Sequence, residues 1–315
     1  MSALARIASV IATLLLVSIV VFGLQQLLPG DPAVVLAGED KTPETIAAIR
    51  LRFRLDDPVP VRYARWLGDV LQGDFGQSMR LNMSARDLLA QKLPVTLQLA
   101  TMALLIAIAI GVTAGAVAAV RADTAIDHAA SLLGMIGLSI PNFWLGILLI
   151  MLVSVQWGLL PASGYVSPFE DPLGNLATMI MPAFVLGNQI AAVLMRHTRS
   201  AMLEVLNSDY VRTARAKGLG EGRVVLRHAL RNSLLPVVTL GALEFGQLLG
   251  GSVLTEFVFS VPGIGKLIVD SVFNRDFAIV QAVVLCSATV YIALNLLADL
   301  AHVWLDPRLR DEGGS

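Results

Sequence analysis

Long unbroken apolar runs, rather than alternation, organise this chain. Six of them stand out, at 7–28, 93–120, 129–156, 179–195, 237–255 and 277–300. The first, Ile7 to Leu28, holds no charged residue. At ~1.5 Å rise per residue a helix of that length reaches about 33 Å, enough to cross a ~30 Å hydrocarbon core. Lipid offers no partner to exposed backbone groups, so each run predicts a helix. The pattern predicts an all-α integral membrane protein with six transmembrane helices. Pro141, inside 129–156, predicts a kink in the third of them. Residues 29–92 are polar enough to predict a small module of short helices outside the bilayer, between the first and second spans.

Composition agrees with this reading, since 56% of the 315 residues are hydrophobic and only 15% charged. Residues 1–6 resemble the charged start of a signal peptide. The run that follows is longer than a signal's apolar core and has no A-x-A site after it, which predicts an uncleaved span. A net charge of −1 gives no sign of a nucleic-acid partner. Cys286 stands alone in an apolar run, which excludes a disulfide framework, and His128, His197, His228 and His302 fall at no metal-ligand spacing.

Charge is informative in the connections. The segment 196–236 carries eight basic residues, Arg196, Arg199, Arg212, Arg215, Lys217, Arg223, Arg227 and Arg231, whereas 157–178 carries none and 256–276 only Lys266 and Arg275. Short basic loops stay cytoplasmic, while loops beyond ~60 residues are largely exempt. The expectation is that 1–6, 121–128, 196–236 and the tail 301–315 are cytoplasmic, and that 29–92, 157–178 and 256–276 lie outside.

Within the basic segment, DYVRTARAKGLGEGRVVLRHALRNSLLP (209–236) predicts two short helices around a turn. Ser208 or Asp209 suits an N-cap, and Gly218 suits the left-handed position that ends the first helix. Glu221 suits the start of the second, on which Arg223, Arg227 and Arg231 recur every four residues as one basic stripe. Two readings are open for the stripe: contact with anionic lipid headgroups, or docking of a cytoplasmic partner.

YVRTARAKGL followed by RHALRNSLLP resembles the cytoplasmic coupling loop of ABC importer permeases of the dipeptide, oligopeptide and nickel branch. LLPGDPA, LDDPVPVRYARWLGDVLQGDFGQS, LPVTLQLATMALLIAIAIGVTAG, SIPNFWLGILLIMLVSV, LPASGY, MPAFVLG, TRSAMLEVL, VLTEFVFSVPGIGKL and DPRLR fit the same branch, so the resemblance covers essentially the whole chain. It implies the type I ABC importer transmembrane fold in a bacterial inner membrane. It also implies a second homologous permease, two ATPase subunits that hold ATP and Mg in place of any cofactor in this chain, and an extracytoplasmic substrate-binding protein. Its implied coupling residues are Tyr210, Ala214, Arg215, Lys217 and Gly218. The general coupling motif is not fully kept: Arg212 stands at its acidic position, Thr213 at its first alanine and His228 at its hydrophobic position, and Leu235-Pro236 comes late. Peptides are the implied substrate class, with nickel, haem, glutathione and opines as alternatives.

No enzymatic signature is present. PGIGKL (262–267) lacks the glycine and the Ser/Thr of a P-loop, and neither H-E-x-x-H nor G-x-S-x-G occurs. Inside the apolar runs, Glu244 is the most informative residue, because a carboxylate there costs about 2.5–3.5 kcal/mol on insertion scales. Gly241, Glu244, Gln247, Gly251 and Thr255 share one helix face. That face either lines a hydrated translocation path or packs against other helices through small and hydrogen-bonding residues. Asn188, Gln189, Asn295 and Asp299 carry the same two readings. Gly111-x-x-x-Gly115 and Gly246-x-x-x-Gly250 predict close helix packing. An ion-coupled secondary transporter using Glu244 is the rival from another class.

Overall fold

The computed structural model describes residues 3–27, 31, 33–34, 37–38, 41–78 and 80–305. The tail beyond 305, most of LLPGDPA and the side chains of Leu235, Pro236 and Asp299 lie outside the described residues. Helices dominate, and the chain forms two compact units, Met1–Pro94 with Leu267–Ile292, and Val95–Lys266 with Ala293–Ser315.

The first unit is built on α1 (Ala3–Leu27). Two shorter helices follow, α2 (Pro43–Phe53) and α3 (Val59–Leu71), then a two-residue antiparallel pair, β1 (Gln77–Ser78) with β2 (Met83–Ser84). Thr42 caps α2 by accepting from the Thr45 amide. Arg50 reaches out of α2 to Asp31 (2.5 Å) and Asp56 (2.9 Å), and its guanidinium holds the Asp31 carboxyl below the usual range. Amphipathic α3 lies against α1. The Ser18 and Tyr63 hydroxyls bond at 2.8 Å, Arg62 donates to Gln26 at 3.1 Å, and Phe22 meets the rings of Tyr63 and Trp66, each at 5.5 Å between centroids. The unit is completed by the start of α4 (Ala85–Val120), the end of α10 (Ile264–Phe273) and the first half of α11 (Phe277–Leu305). Ser78 donates to Asp276 at 2.5 Å, fixing the β pair to the turn before α11.

The second unit centres on α7 (Pro172–Leu206), whose inward residues from Met179 to Met202 form the largest single share of its core. Helix α4 packs on α7 at glycine. A Cβ on Gly111 would stand 2.6 Å from the Ala191 carbonyl oxygen, and one on Gly115 2.5 Å from that of Met195. The first of the two G-x-x-x-G patterns therefore forms a close helix contact, whereas a Cβ on Gly250 would meet open space.

The region expected as one kinked span is two helices, α5 (Ala125–Ser139) and α6 (Asn142–Leu149), which bend by 103° at Ile140–Pro141. Proline lacks the amide that would continue α5, and it holds Ile140 in extended backbone, so the chain turns instead of merely bending. A π-helical turn, Ile150–Gln156, extends α6. Helix α9 (Arg231–Val258) starts inside the basic segment.

Among the described residues, four helices are long and apolar enough to cross a membrane, α1, α4, α7 and α11, and the α5–α6 pair makes a fifth if it counts as one span. Helix α9, in which the side chains of residues 235, 236 and 239 lie outside the described residues, is not among them. Helices also overrun the apolar stretches. Helix α4 begins eight residues before Leu93, and α7 extends past both ends of 179–195. Capping decides this at α7, where the Asp171 carboxylate accepts from the amides of Leu173 and Gly174.

Candidate functional site

The basic segment 196–236 begins inside α7, and its first separate helix is α8 (Asp209–Ala216). Ser208 stands at the N-cap but donates back to the Val205 carbonyl at 2.6 Å, leaving Asp209 in the first turn as the charge facing the helix dipole. Gly218 adopts φ +77°, the Gly218 amide donates to Arg215 O at 2.9 Å and the Leu219 amide to Ala214 O at 3.3 Å. These bonds close the C-terminal turn, which needs a residue without a Cβ penalty in the left-handed region. The chain re-enters a helix at Glu221, and a π-helical stretch, Val224–Leu230, carries it into α9.

One face of α8 is pinned. Val211 and Ala214 pack with Val224, assisted by Val205 and Leu219, while Ala229 packs with Ala119 and Met202. Ala214 is thus an internal contact, whereas Tyr210, Arg215, Lys217 and Gly218 lie exposed. Arg215 is paired through two bonds to Glu221 at 2.7 and 3.3 Å, which bridges the turn. The Tyr210 hydroxyl accepts from Asn232 at 2.9 Å, linking α8 to the start of α9. Arg223, Arg227 and Arg231 are all exposed.

Charge counting placed Arg199 among the eight basic residues of 196–236 and gave it no partner. Instead it forks onto Asp127, Nε to Oδ1 at 2.6 Å and Nη2 to Oδ2 at 2.7 Å. Asp127 is buried and also accepts from the Asp123 amide at 3.0 Å, so the turn between α4 and α5 is tied to α7. The acid at the start of α5 was the available signal.

Of the α9 residues that share a face by helical spacing, Gly241 and Thr255 are buried, Glu244 is half-buried, and Gln247 and Gly251 are exposed; the exposed line also takes in Leu243, Gly250 and Leu254. Leu186 of α7 lies 3.7 Å from where a Cβ on Gly251 would stand. Asn188 does not join this face: its amide donates to the Gly137 carbonyl of α5 at 2.9 Å. That bond favours interhelical packing for Asn188. Gln189 is half-buried beside it.

A second polar centre went unread in the sequence. Glu256, near the end of α9, is fully buried. It accepts from the Thr96 hydroxyl at 2.7 Å and the Lys266 amide at 3.0 Å, while the Thr96 oxygen accepts from the Ile264 amide at 2.9 Å. Gly263 is needed here, since a Cβ would strike Thr96 and the Glu256 carboxylate. The loop VPGIGK, dismissed as a degenerate phosphate loop, is thus a backbone wrapped around a carboxylate. The acid six residues before a P-G-x-G turn was its signal.

The arrangement defines a multi-pass, all-α membrane protein with the transmembrane fold of type I ABC importers. Solved structures support this: an inward-facing crystal form of the MetNI methionine ABC transporter aligns with TM-score 0.56 and 19% identity over 70% of this chain and 96% of that one. An amino acid ABC transporter aligns with TM-score 0.52 and 16% identity over 69% of this chain and 93% of that one. The chain belongs to the binding-protein-dependent transport system inner membrane component family, whose profile matches residues 111–311. The companion N-terminal profile, binding-prot-dependent transport system membrane comp, N-term, matches residues 2–100. Among curated relatives, the dipeptide transport system permease protein DppB of Escherichia coli (strain K12) is 41% identical over 98% of both chains. A peptide transport system permease protein of Brucella abortus (strain 2308) is 41% identical over 98% of both chains.

Proposed function

We propose that this chain is one transmembrane subunit of an ATP-driven importer of di- and oligopeptides. The observation that carries this reading is 41% identity along 98% of both chains to a dipeptide transport permease. The subunit pairs with a second, homologous permease, receives substrate from an extracytoplasmic binding protein, and is moved by two ATPase subunits in the cytoplasm. ATP and Mg belong to those subunits. Residues 1–6, 121–128, 196–236 and 301–315 face the cytoplasm, 29–92 faces outward, and α9 is the sixth span: its 28 residues reach about 42 Å.

Helix α8 is the transmission element. Its inner face is held by Val211, Ala214 and Val224, so a push on exposed Tyr210, Arg215 and Lys217 moves α8 and the start of α9 as one body. Gly218 supplies the turn between them. The exposed line of α9, with Glu244 at its edge, Gln247 on it and Gln189 on the neighbouring helix, lines the path formed with the second permease, because a carboxylate is costly against lipid. Uptake of radiolabelled dipeptide into vesicles bearing the whole transporter tests this reading. It requires ATP hydrolysis. Uptake by this chain alone in ATP-free liposomes would identify the ion-coupled alternative instead.

A further inference from the structure

An apolar groove in the first unit, about 490 Å³ in volume, is walled by α1, α3, the start of α4 and the first half of α11. This is within the roughly 300–1,000 Å³ of small-molecule sites. Leu15, Leu67, Leu71, Leu285 and Val290 contribute aliphatic surface, and the single charged residue at its edge is Arg86. The other polar groups of the wall are occupied: Ser18 bonds Tyr63 and the Leu15 carbonyl, and Thr289 donates to Leu285 O. The neighbouring carboxylate, Asp87, is engaged by the Ser84 hydroxyl at 2.7 Å. Among the described residues Arg86 takes part in no ion pair or hydrogen bond.

We propose that this groove binds an anionic phospholipid, with a chain along Leu15, Leu71 and Leu285 and the phosphate on Arg86. Guanidinium offers planar paired donors that fit phosphate oxygens. The vertical order fits as well. Arg86 precedes the apolar run that starts at Leu93 by about 10 Å of helix, which sets it at headgroup level, and Leu285 to Val290 lie about 12–20 Å into the apolar stretch of α11 that begins at Phe277, at the depth of an acyl chain. A protein helix lying in the groove would leave Arg86 without a partner unless it brought a carboxylate. A phospholipid satisfies the arginine and the aliphatic wall together.

Cys286 lines the groove and is the chain's sole cysteine, so it reports occupancy. The whole transporter, delipidated in detergent, is treated with a maleimide, and modification of this chain is followed by mass spectrometry. Phosphatidylglycerol at ten times its dissociation constant slows the reaction about tenfold. Phosphatidylcholine slows it far less, soluble glycerol phosphate does not slow it, and R86Q removes the difference between the two lipids. Equal protection by both lipids, or full protection by phosphatidylglycerol in R86Q, overturns the proposal. So does a Cys286 that is already unreactive without lipid, which would mean that protein fills the groove.

Discussion

The two ends of α9 treat charge in opposite ways. At its start the helix and the segment before it display Arg223, Arg227 and Arg231 to the surroundings, reached through a π-helical stretch and a left-handed glycine. Near its end Glu256 is fully buried, bonded to a hydroxyl and to backbone amides of the loop that folds back over it. Buried charges persist only when their hydrogen-bonding capacity is met. One end is therefore open to be touched and the other is held, which suits the proposed transmission role of α8.

Breaking the touched end has the largest expected effect. Gly218→Pro replaces a residue at φ +77° with one locked near −65° and deletes the amide that bonds Arg215 O. ATP-dependent peptide uptake should fall to background while the chain still inserts and co-purifies with its partners. Uptake at the wild-type rate would remove α8 from the transmission role. Gly218→Ala should be milder, since a Cβ there meets open space and only the backbone conformation is penalised.

Breaking the held end should cost stability before activity. Glu256→Ala strands the Thr96 hydroxyl and the Lys266 amide, each worth about 1–3 kcal/mol when buried unsatisfied. The expected readout is a lower thermal midpoint of the detergent-purified transporter and lower yield. Glu256→Gln keeps an acceptor oxygen and should recover part of the loss. If the alanine variant melts like wild type, the loop is not held by this carboxylate.

Much of this contrast was legible in the sequence at one end and not at the other. The long apolar helices α1, α4, α7 and α11 followed from hydrophobic runs, and the left-handed turn from Gly218, because both are local signals. The Glu256 clasp joins residues 160 and 10 positions apart, and the Asp127–Arg199 fork joins residues 72 apart; distance along the chain hides such pairs. Pro141 announced a break, but its 103° angle depends on the packing of two helices on α7. Which side of α9 is covered depends on packing in the same way. Helical spacing groups Gly241 with Thr255, yet packing buries both and leaves Leu243 and Leu254 outside.

The brace between α5 and α7 sharpens the comparison at intermediate strength. Asp127→Asn removes the charge from a buried bidentate pair and leaves the Arg199 guanidinium poorly matched. If this brace carries motion from the segment after α7 toward α5, Asp127→Asn should lower the transport rate per ATP hydrolysed, with a smaller change in ATPase activity. The exchanged pair, Asp127→Arg with Arg199→Asp, should recover some transport, provided the shorter acid can still reach. Equal losses of uptake and ATPase would mark the pair as a stability contact only.

The smallest effect is expected where charge is most abundant. Arg223, Arg227 and Arg231 are exposed on a segment whose fixed contacts are made by Val224 and Ala229. Exposed charges contribute little to stability, so the triple change to Gln should leave the melting midpoint nearly unmoved. The informative measurement is therefore the salt dependence of ATPase binding to the permease in detergent, where no bilayer is present. If the stripe meets the ATPases, the triple variant weakens their binding and flattens its dependence on ionic strength. If it rests on lipid headgroups, binding in detergent is unchanged, and the variant differs only after reconstitution into anionic bilayers. The first outcome extends the touched end of α9 across the whole basic segment; the second confines it to α8 and the Gly218 turn.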